Sequence, residues 1–245
     1  MRALLLSAGI GSRLRPITDR TPKCLVPILG RPLIDYWLDW TLGQGMEKVL
    51  INTHHISEQV NDHMANSPWR DRITLLHEDT LLGTGGTILR NREFFAEEPF
   101  FVAHADNLTL FDLHRFQERH AAAPDSISIT MMTFQTDTPE SCGIVEEDDR
   151  GIVRAFHEKV AHPPSNMANG AVYIFNPTIF DFLKETGKEV IDLSTEVIPH
   201  FVGRIQTFEN SIYHRDIGTA ASLQLAEMEF GGKLDEWNGR HDGRR

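Results

Sequence analysis

Leu4-Leu5-Leu6-Ser7-Ala8-Gly9-Ile10-Gly11-Ser12-Arg13-Leu14-Arg15-Pro16, closed a few residues later by Pro22-Lys23, is the stretch on which the reading of this chain turns. The apolar run from Leu4 to Ser7 reads as a buried strand, and it feeds two glycines and then three cations, Arg13, Arg15 and Lys23. Glycine has no Cβ, so main-chain N–H groups from Gly9 to Ser12 can approach an anion closely. The cations suit a polyphosphate, and Pro16 and Pro22 stiffen the connections between them. The plain alternative for such residues standing alone is a solvated basic turn.

The surrounding chain is acidic, with a formal net charge of -11, which argues against polymeric nucleic acid or an anionic membrane surface as partner. One basic pocket can still sit inside an acidic shell. At 245 residues and 40% hydrophobic content the chain can build a sizeable core, as one large domain or two small ones. No run of about 18 apolar residues occurs, and Met1-Arg2 lead directly into the first strand without a signal-peptide core, so a cytoplasmic protein is expected. The two cysteines, Cys24 and Cys142, offer neither a disulfide framework nor zinc spacing and read as small, partly buried thiols. His54, His55 and His63 lack a metal-ligand pattern and read as surface or packing residues.

Working outward, Pro32 to Gln44 reads as a helix from the spacing of Leu33, Ile34, Trp37, Leu38 and Leu42. Strands are expected at Val49–Ile51, Ile73–Leu76, Phe100–Ala103 and Ile127–Phe134, alternating with helices from Ser57, Gly83 and Phe111. That alternation indicates a mostly parallel sheet with helices on both faces. From Cys142 short strands at Gly143–Glu146, Ile152–Phe156, Ala171–Phe175 and Gln206–Tyr213 mix with short helices at Pro177–Lys184 and Thr195–Phe201. No linker precedes them, so they read as an α+β extension of the first sheet. A last helix is expected over Thr219–Phe230, with 231–245 as a polar, frayed tail.

Two phosphate-binding loops can be excluded. The dinucleotide fingerprint wants a third glycine where this chain has Leu14, and an acidic residue where it has Asn52. No Gly-x-x-x-x-Gly-Lys-Ser/Thr occurs, which removes the P-loop.

Gly9-x-Gly11-x-Arg13-Leu14-x-Pro16-x-Thr18, followed by Pro22-Lys23, resembles the signature of the sugar-1-phosphate nucleotidyltransferases. Leu82-Gly83-Thr84-Gly85-Gly86 is similar to that family's nucleoside-contact loop, and Ala105-Asp106-Asn107 to its metal-binding aspartate turn. Glu158-Lys159, Asn169-Gly170 and Asp216-Ile217-Gly218-Thr219 match later family elements in the same order. The resemblance implies a Rossmann-like three-layer αβα sandwich, the nucleotide-diphospho-sugar transferase fold. It implies one domain over 1–230, with a nucleotide-binding half to about 140 and a sugar-phosphate-binding half beyond it.

The implied reaction is attack by a sugar-1-phosphate oxygen on the α-phosphorus of a nucleoside triphosphate. The resemblance carries catalytic roles to Arg13, for the leaving pyrophosphate, and Lys23, for the α-phosphate. Nucleotide binding falls to Leu6, Ala8, Gly9, Gly11, Ser12, Glu78, Gly83 and Thr84. Sugar-phosphate binding falls to Gly143, Glu158, Lys159 and Asn169, and a magnesium ion to Asp106 and Asp216, since hard carboxylate oxygens suit that ion. Arg15 assists or is merely solvated. His77-Glu78 before the glycine loop is similar to the mannose-1-phosphate guanylyltransferase branch. A Glu78 carboxylate can accept from guanine, which favours GTP with mannose- or heptose-1-phosphate. Uridylyl or cytidylyl transfer, including to a phosphocholine-like acceptor, and a non-catalytic nucleotide-sugar sensor are the alternatives. The chain departs from the usual pattern at Ser7-Ala8-Gly9, Ser12, Ala105 and Ala220 without losing a charged residue, and a left-handed β-helix found in some relatives is not expected.

Overall fold

Alternation of side chains along β1 (Ala3–Leu6) sorts the core into two halves. Ala3 and Leu5 pack on one face, Leu4 and Leu6 on the other, and all four are buried. A strand buried on both faces requires helices on both, and its neighbours in the sheet run parallel to it. These features come from a computed structural model of the chain, which describes residues 1–241.

After β1 come a short ribbon of β2 (Pro27–Ile28) and β3 (Arg31–Pro32), helix α1 (Leu33–Thr41), β4 (Val49–Thr53), α2 (Ser57–Ala65), β5 (Ile73–His77) and α3 (Gly83–Arg90). Then follow β6 (Phe100–His104), β7 (Asn107–Leu110), α4 (Leu113–Ala121), β8 (Ile129–Gln135), β9 (Gly143–Glu147), β10 (Val153–Glu158) and β11 (Met167–Phe175). The chain continues with α5 (Ile179–Glu185), α6 (Ile198–Phe201), β12 (Ile205–Glu209), β13 (Tyr213–Asp216) and α7 (Ala220–His241).

A 9-stranded sheet runs β10-β9-β11-β6-β1-β4-β5, with β8 beside β11 and β12 beside β8. Strands β6, β1, β4 and β5 are mutually parallel, and β11 joins β6 antiparallel. The second half therefore extends the first sheet, giving the three-layer αβα arrangement with a mostly parallel centre. On one face Trp37 of α1, Phe116 of α4 and Phe230 of α7 are buried, with Tyr36 and Phe230 edge-on at 5.2 Å. On the other, Ile88 of α3, Phe180 of α5 and Phe201 of α6 cover the sheet. No helix among the described residues is long and apolar enough to cross a membrane.

Several boundaries differ from those expected. The stretch read as one strand from Gln206 to Tyr213 is two, β12 and β13, broken where buried Asn210 turns the chain and donates to the Thr109 hydroxyl and the Tyr213 carbonyl. Beyond the expected Ala105-Asp106-Asn107 turn, Asn107–Leu110 forms a strand that pairs antiparallel with β13. Helix α4 starts two residues late because the Asp112 side chain accepts from Arg115 N at 3.0 Å and caps it. The helix expected to stop at Phe230 continues to His241, so residues 231–241 are not a frayed tail; Leu234 and Trp237 pack back on the core. Residues 242–245 of that expected tail lie outside the described residues.

Candidate active site

The carboxyl ends of β1, β4, β5 and β6 open into a cavity of about 200 Å³ lined by Leu6, Ala8, Gly9, Glu78, Gly83 and Thr84, with Lys23 and Asp106 at its charged end. Ligands of open parallel sheets bind at this edge. Gly11 and Ser12 stand outside that lining, where the Gly11 carbonyl accepts the Thr18 hydroxyl at 2.8 Å and Ser12 begins a short 3-10 turn.

Gly83 is required by its surroundings. Its φ is 71°, and a Cβ there would stand 2.4 Å from the Ile191 carbonyl oxygen. That close approach lets Gly85 N donate to Ile191 O at 2.8 Å and Ile191 N donate to Leu82 O at 3.0 Å. Leu193 N donates to the Thr84 hydroxyl at 2.7 Å, so the 191–193 segment fixes the glycine loop over the cavity. Glu78, 4% exposed, ends the cavity floor. Its Oε1 accepts from Thr87 Oγ1 at 2.6 Å and from Asn52 Nδ2 at 3.3 Å. The Asn52 amide is held in turn by Ser7 N, which donates to its Oδ1 at 2.8 Å.

At the charged end, Lys23 is 5% exposed and its Nζ donates to Asp106 Oδ2 at 2.9 Å and Asp216 Oδ1 at 3.1 Å. The pairing of β7 with β13, which sets Asp216 opposite Asn107, brings together two aspartates that are 110 positions apart in number. Arg13 approaches the same centre from the first loop, with Nη2 3.3 Å from Asp216 Oδ2. Arg15 turns away and pairs with Asp19 at 3.1 Å. Burial alone would make Lys23 easier to neutralise, but Asp106 and Asp216 outweigh it and hold its pKa above the ordinary lysine value. Burial likewise opposes ionisation of Asp106, yet Lys23 and His104 hold its carboxyl below the usual range. Lys23 shows that a cation fits between the two carboxylates. Among the described residues no three His, Cys, Asp or Glu side chains form a metal-binding group, so a divalent ion here would take further oxygens from substrate phosphates or water.

The residues assigned to the sugar phosphate gather at the ends of β9, β10 and β11, away from that cavity's lining. Gly143 pairs with Glu158, and a Cβ on Gly143 would stand 2.4 Å from the Phe156 ring and 2.7 Å from Glu158 Oε2. Ala168 pairs with Ile144, which brings Asn169 beside Gly143. Asn169 donates to the Tyr173 hydroxyl at 2.6 Å and accepts from Ala171 N at 2.9 Å. Lys159, 65% exposed, pairs with Glu158 at 3.1 Å. A wider groove of about 590 Å³ leads from Arg13 and Asp216 past Thr136–Cys142 to the start of α7.

Asn52, Thr87, His104 and His214 escaped the sequence reading. Asn52 entered it only as a missing acid, and His104 and His214 carry a faint signal, each standing two residues before an assigned aspartate. Burial lowers the pKa of His104 against the pull of Asp106 and Asp192, and pushes His214 down to about 4. His54, His55 and His63 are structural: their ring nitrogens meet Glu78 O at 2.7 Å, Thr18 O at 2.9 Å and Asp35 Oδ1 at 2.7 Å.

Comparison with known proteins bears on the family and the fold. A UTP–glucose-1-phosphate uridylyltransferase of Synechocystis sp. is 29% identical over 216 residues, covering 82% of this chain and 55% of that protein. The mannose-1-phosphate guanyltransferase beta-A of Xenopus laevis is 29% identical over 228 residues, covering 89% and 61%. The glucose-1-phosphate thymidylyltransferase of Streptomyces griseus is 31% identical over 183 residues, covering 74% and 51%. The chain thus spans little more than half the length of these relatives. In fold it matches a Bacillus anthracis structure in complex with sucrose (TM-score 0.81, 24% identity, 93% and 94% coverage). It also matches HddC of Yersinia pseudotuberculosis (TM-score 0.79, 21% identity, 94% and 99% coverage). Residues 2–231 match the family described as nucleotidyl transferase, and the chain belongs to it.

Proposed function

We propose that this protein transfers a nucleotidyl group from a nucleoside triphosphate to a sugar-1-phosphate in the cytoplasm, with GTP as donor and mannose- or heptose-1-phosphate as acceptor. The observation that carries the reading is Lys23 held between Asp106 and Asp216 at the mouth of the cavity, with Arg13 alongside.

An acceptor phosphate oxygen forms a bond to the α-phosphorus, and the bond from that phosphorus to the bridging oxygen breaks, pyrophosphate leaving with the electron pair. The attacking phosphate is ionised at neutral pH, so no protein nucleophile is needed. The protein's part is to bring two anions into line and to match the charge that develops on the α-phosphate. Lys23, kept protonated by its two carboxylates, is the fixed cation for that charge. Arg13 offers a planar fork to the leaving group. Asp106 and Asp216 would hold a magnesium ion, which when bound supplies neutralisation of the phosphate oxygens. Gly143, Glu158, Lys159 and Asn169 are the groups we assign to the acceptor's hydroxyls and phosphate.

The base assignment rests on Glu78. A buried carboxylate is acceptor-only, and guanine presents two adjacent donors, N1–H and the 2-amino group, where uracil and thymine present one. Oε1 is anchored by Thr87 and Asn52, while among the described residues Oε2 meets only Leu82 N, at 3.4 Å. The test is pyrophosphate release with each nucleoside triphosphate against a panel of sugar-1-phosphates and phosphocholine, in Mg²⁺. GTP should be preferred, and Glu78→Gln should lower kcat/KM with GTP about tenfold or more, as expected for loss of a charged hydrogen bond. Equal or faster turnover of UTP, dTTP or CTP refutes guanylyl specificity; nucleotide binding with no turnover favours a sensor.

A further inference from the structure

One polar group on the cavity floor has no task in the reaction above. His104 closes β6 and lines the cavity together with Leu6, Lys23 and Asp106. Its Nε2 is sealed from solvent and has no hydrogen-bond partner among the described residues. A buried nitrogen left unpaired costs about 1–3 kcal/mol, a cost that an apolar side chain would avoid. The polar groups around it are already engaged: Asn52 by Ser7 and Glu78, Glu78 by Thr87, and Thr84 by Leu193.

Strand register says what lies above the imidazole. Asn52, Leu6 and His104 form one row across β4, β1 and β6. At a strand spacing of about 4.8 Å, the backbones of Asn52 and His104 stand about 10 Å apart. Asp106 lies two residues beyond His104, toward the open edge of the sheet. A nucleotide with its base at Glu78 and its α-phosphate at Lys23 and Asp106 therefore spans this row, and the acceptor's phosphate meets the same charged end. A sugar ring is the part of either substrate that falls over Leu6 and His104.

On the nucleotidyl-transfer reading, we propose that His104 hydrogen-bonds a hydroxyl of this ring and so selects a hydroxylated sugar. The ring belongs either to the ribose of the triphosphate or to the acceptor. A half-turn about Cβ–Cγ exchanges nitrogen and carbon positions in the ring plane, so either edge can present a nitrogen to the cavity.

Titration calorimetry on the full chain in Mg²⁺ tests this in two arms. One compares GTP with 2′-deoxy- and 3′-deoxy-GTP; the other compares mannose-1-phosphate with its 2-deoxy analogue in the presence of a non-hydrolysable GTP analogue. In one arm wild type should prefer the hydroxylated ligand about tenfold. His104→Phe, which keeps the ring's bulk, should erase that preference, and His104→Gln, which keeps a donor, should restore part of it. His104→Leu replaces the Phe variant if circular dichroism shows the latter unfolded. Unchanged preference in the apolar variant, or no wild-type preference in either arm, overturns the role of His104 while nucleotide binding survives. No wild-type binding of any triphosphate overturns the nucleotidyl-transfer reading and this assignment with it.

Discussion

Gly83→Ala is the substitution whose cost follows most directly from the geometry. The new methyl carbon would stand 2.4 Å from Ile191 O and 3.0 Å from Ile191 C, both backbone atoms that cannot swing aside. The left-handed backbone adds its own penalty, about 1–2 kcal/mol for a residue with a Cβ. Overpacking typically adds about 1–3 kcal/mol, so the expected loss is about 2–5 kcal/mol in total. Gly45→Ala separates the two terms: its φ of 97° is also positive, but its Cβ would meet nothing within 4 Å. Urea denaturation of both variants should show Gly83→Ala to be the more damaging by about 1–3 kcal/mol. Relief of the clash moves the 191–193 segment, which releases Thr84 from Leu193 N and loosens the glycine loop. Nucleotide affinity should fall as well. Equal stability of the two variants, or Gly83→Ala with wild-type stability and affinity, would show that the Ile191 carbonyl does not constrain this position.

Lys23→Ala should retain native circular dichroism yet lose about 10²–10³-fold in kcat, the usual effect of removing one preorganised charge donor. Gly9→Ala should leave stability near wild type, since its Cβ would meet nothing within 4 Å, and raise KM for the triphosphate; a loss of stability with unchanged KM would contradict this. Asp106 has its pKa lowered from 3.8, and Lys23 has its raised from 10.5. The stability they share is thus present between those ordinary values and fades as pH falls below about 4 and again as it rises above about 10.5, so the destabilisation by Lys23→Met in denaturant titrations should be smaller at about pH 3 than at about pH 7. Burial pushes the Cys24 thiol up to about 12 and encloses it, so a chromogenic disulfide reagent should titrate Cys142 in the native protein and Cys24 only after denaturation.

The sheet was legible because its signal is local. Leu4–Leu6 and the alternation of strands with helices report burial on both faces, and the glycine loop sits where an apolar run stops. The charged centre was legible as a set of residue types, but the contact that assembles it was not. Asp106-Asn107 reads as turn chemistry in isolation, and only the pairing of Asn107–Leu110 with β13 across the fold makes a strand there and brings Asp216 to Lys23. The floor of the cavity was harder still. Asn52 and Thr87 hold Glu78 by side-chain hydrogen bonds between separate elements, and no spacing in the chain announces such contacts. The end of α7 was misjudged for a related reason: Gly231 and Gly232 suggest a stop, but Leu234 and Trp237 pack on the core and carry the helix onward.

On the proposed reading Lys23, Asp106 and Asp216 form the centre of a nucleotidyl transfer reaction. The decisive measurement is pyrophosphate release by wild type and Asp106→Asn, each given a nucleoside triphosphate, a sugar-1-phosphate and Mg²⁺. Release should require both substrates and should fall about 10²-fold or more in Asp106→Asn with the fold intact. No release by wild type with any substrate pair, or equal release by the variant, would place the reaction centre elsewhere or remove it.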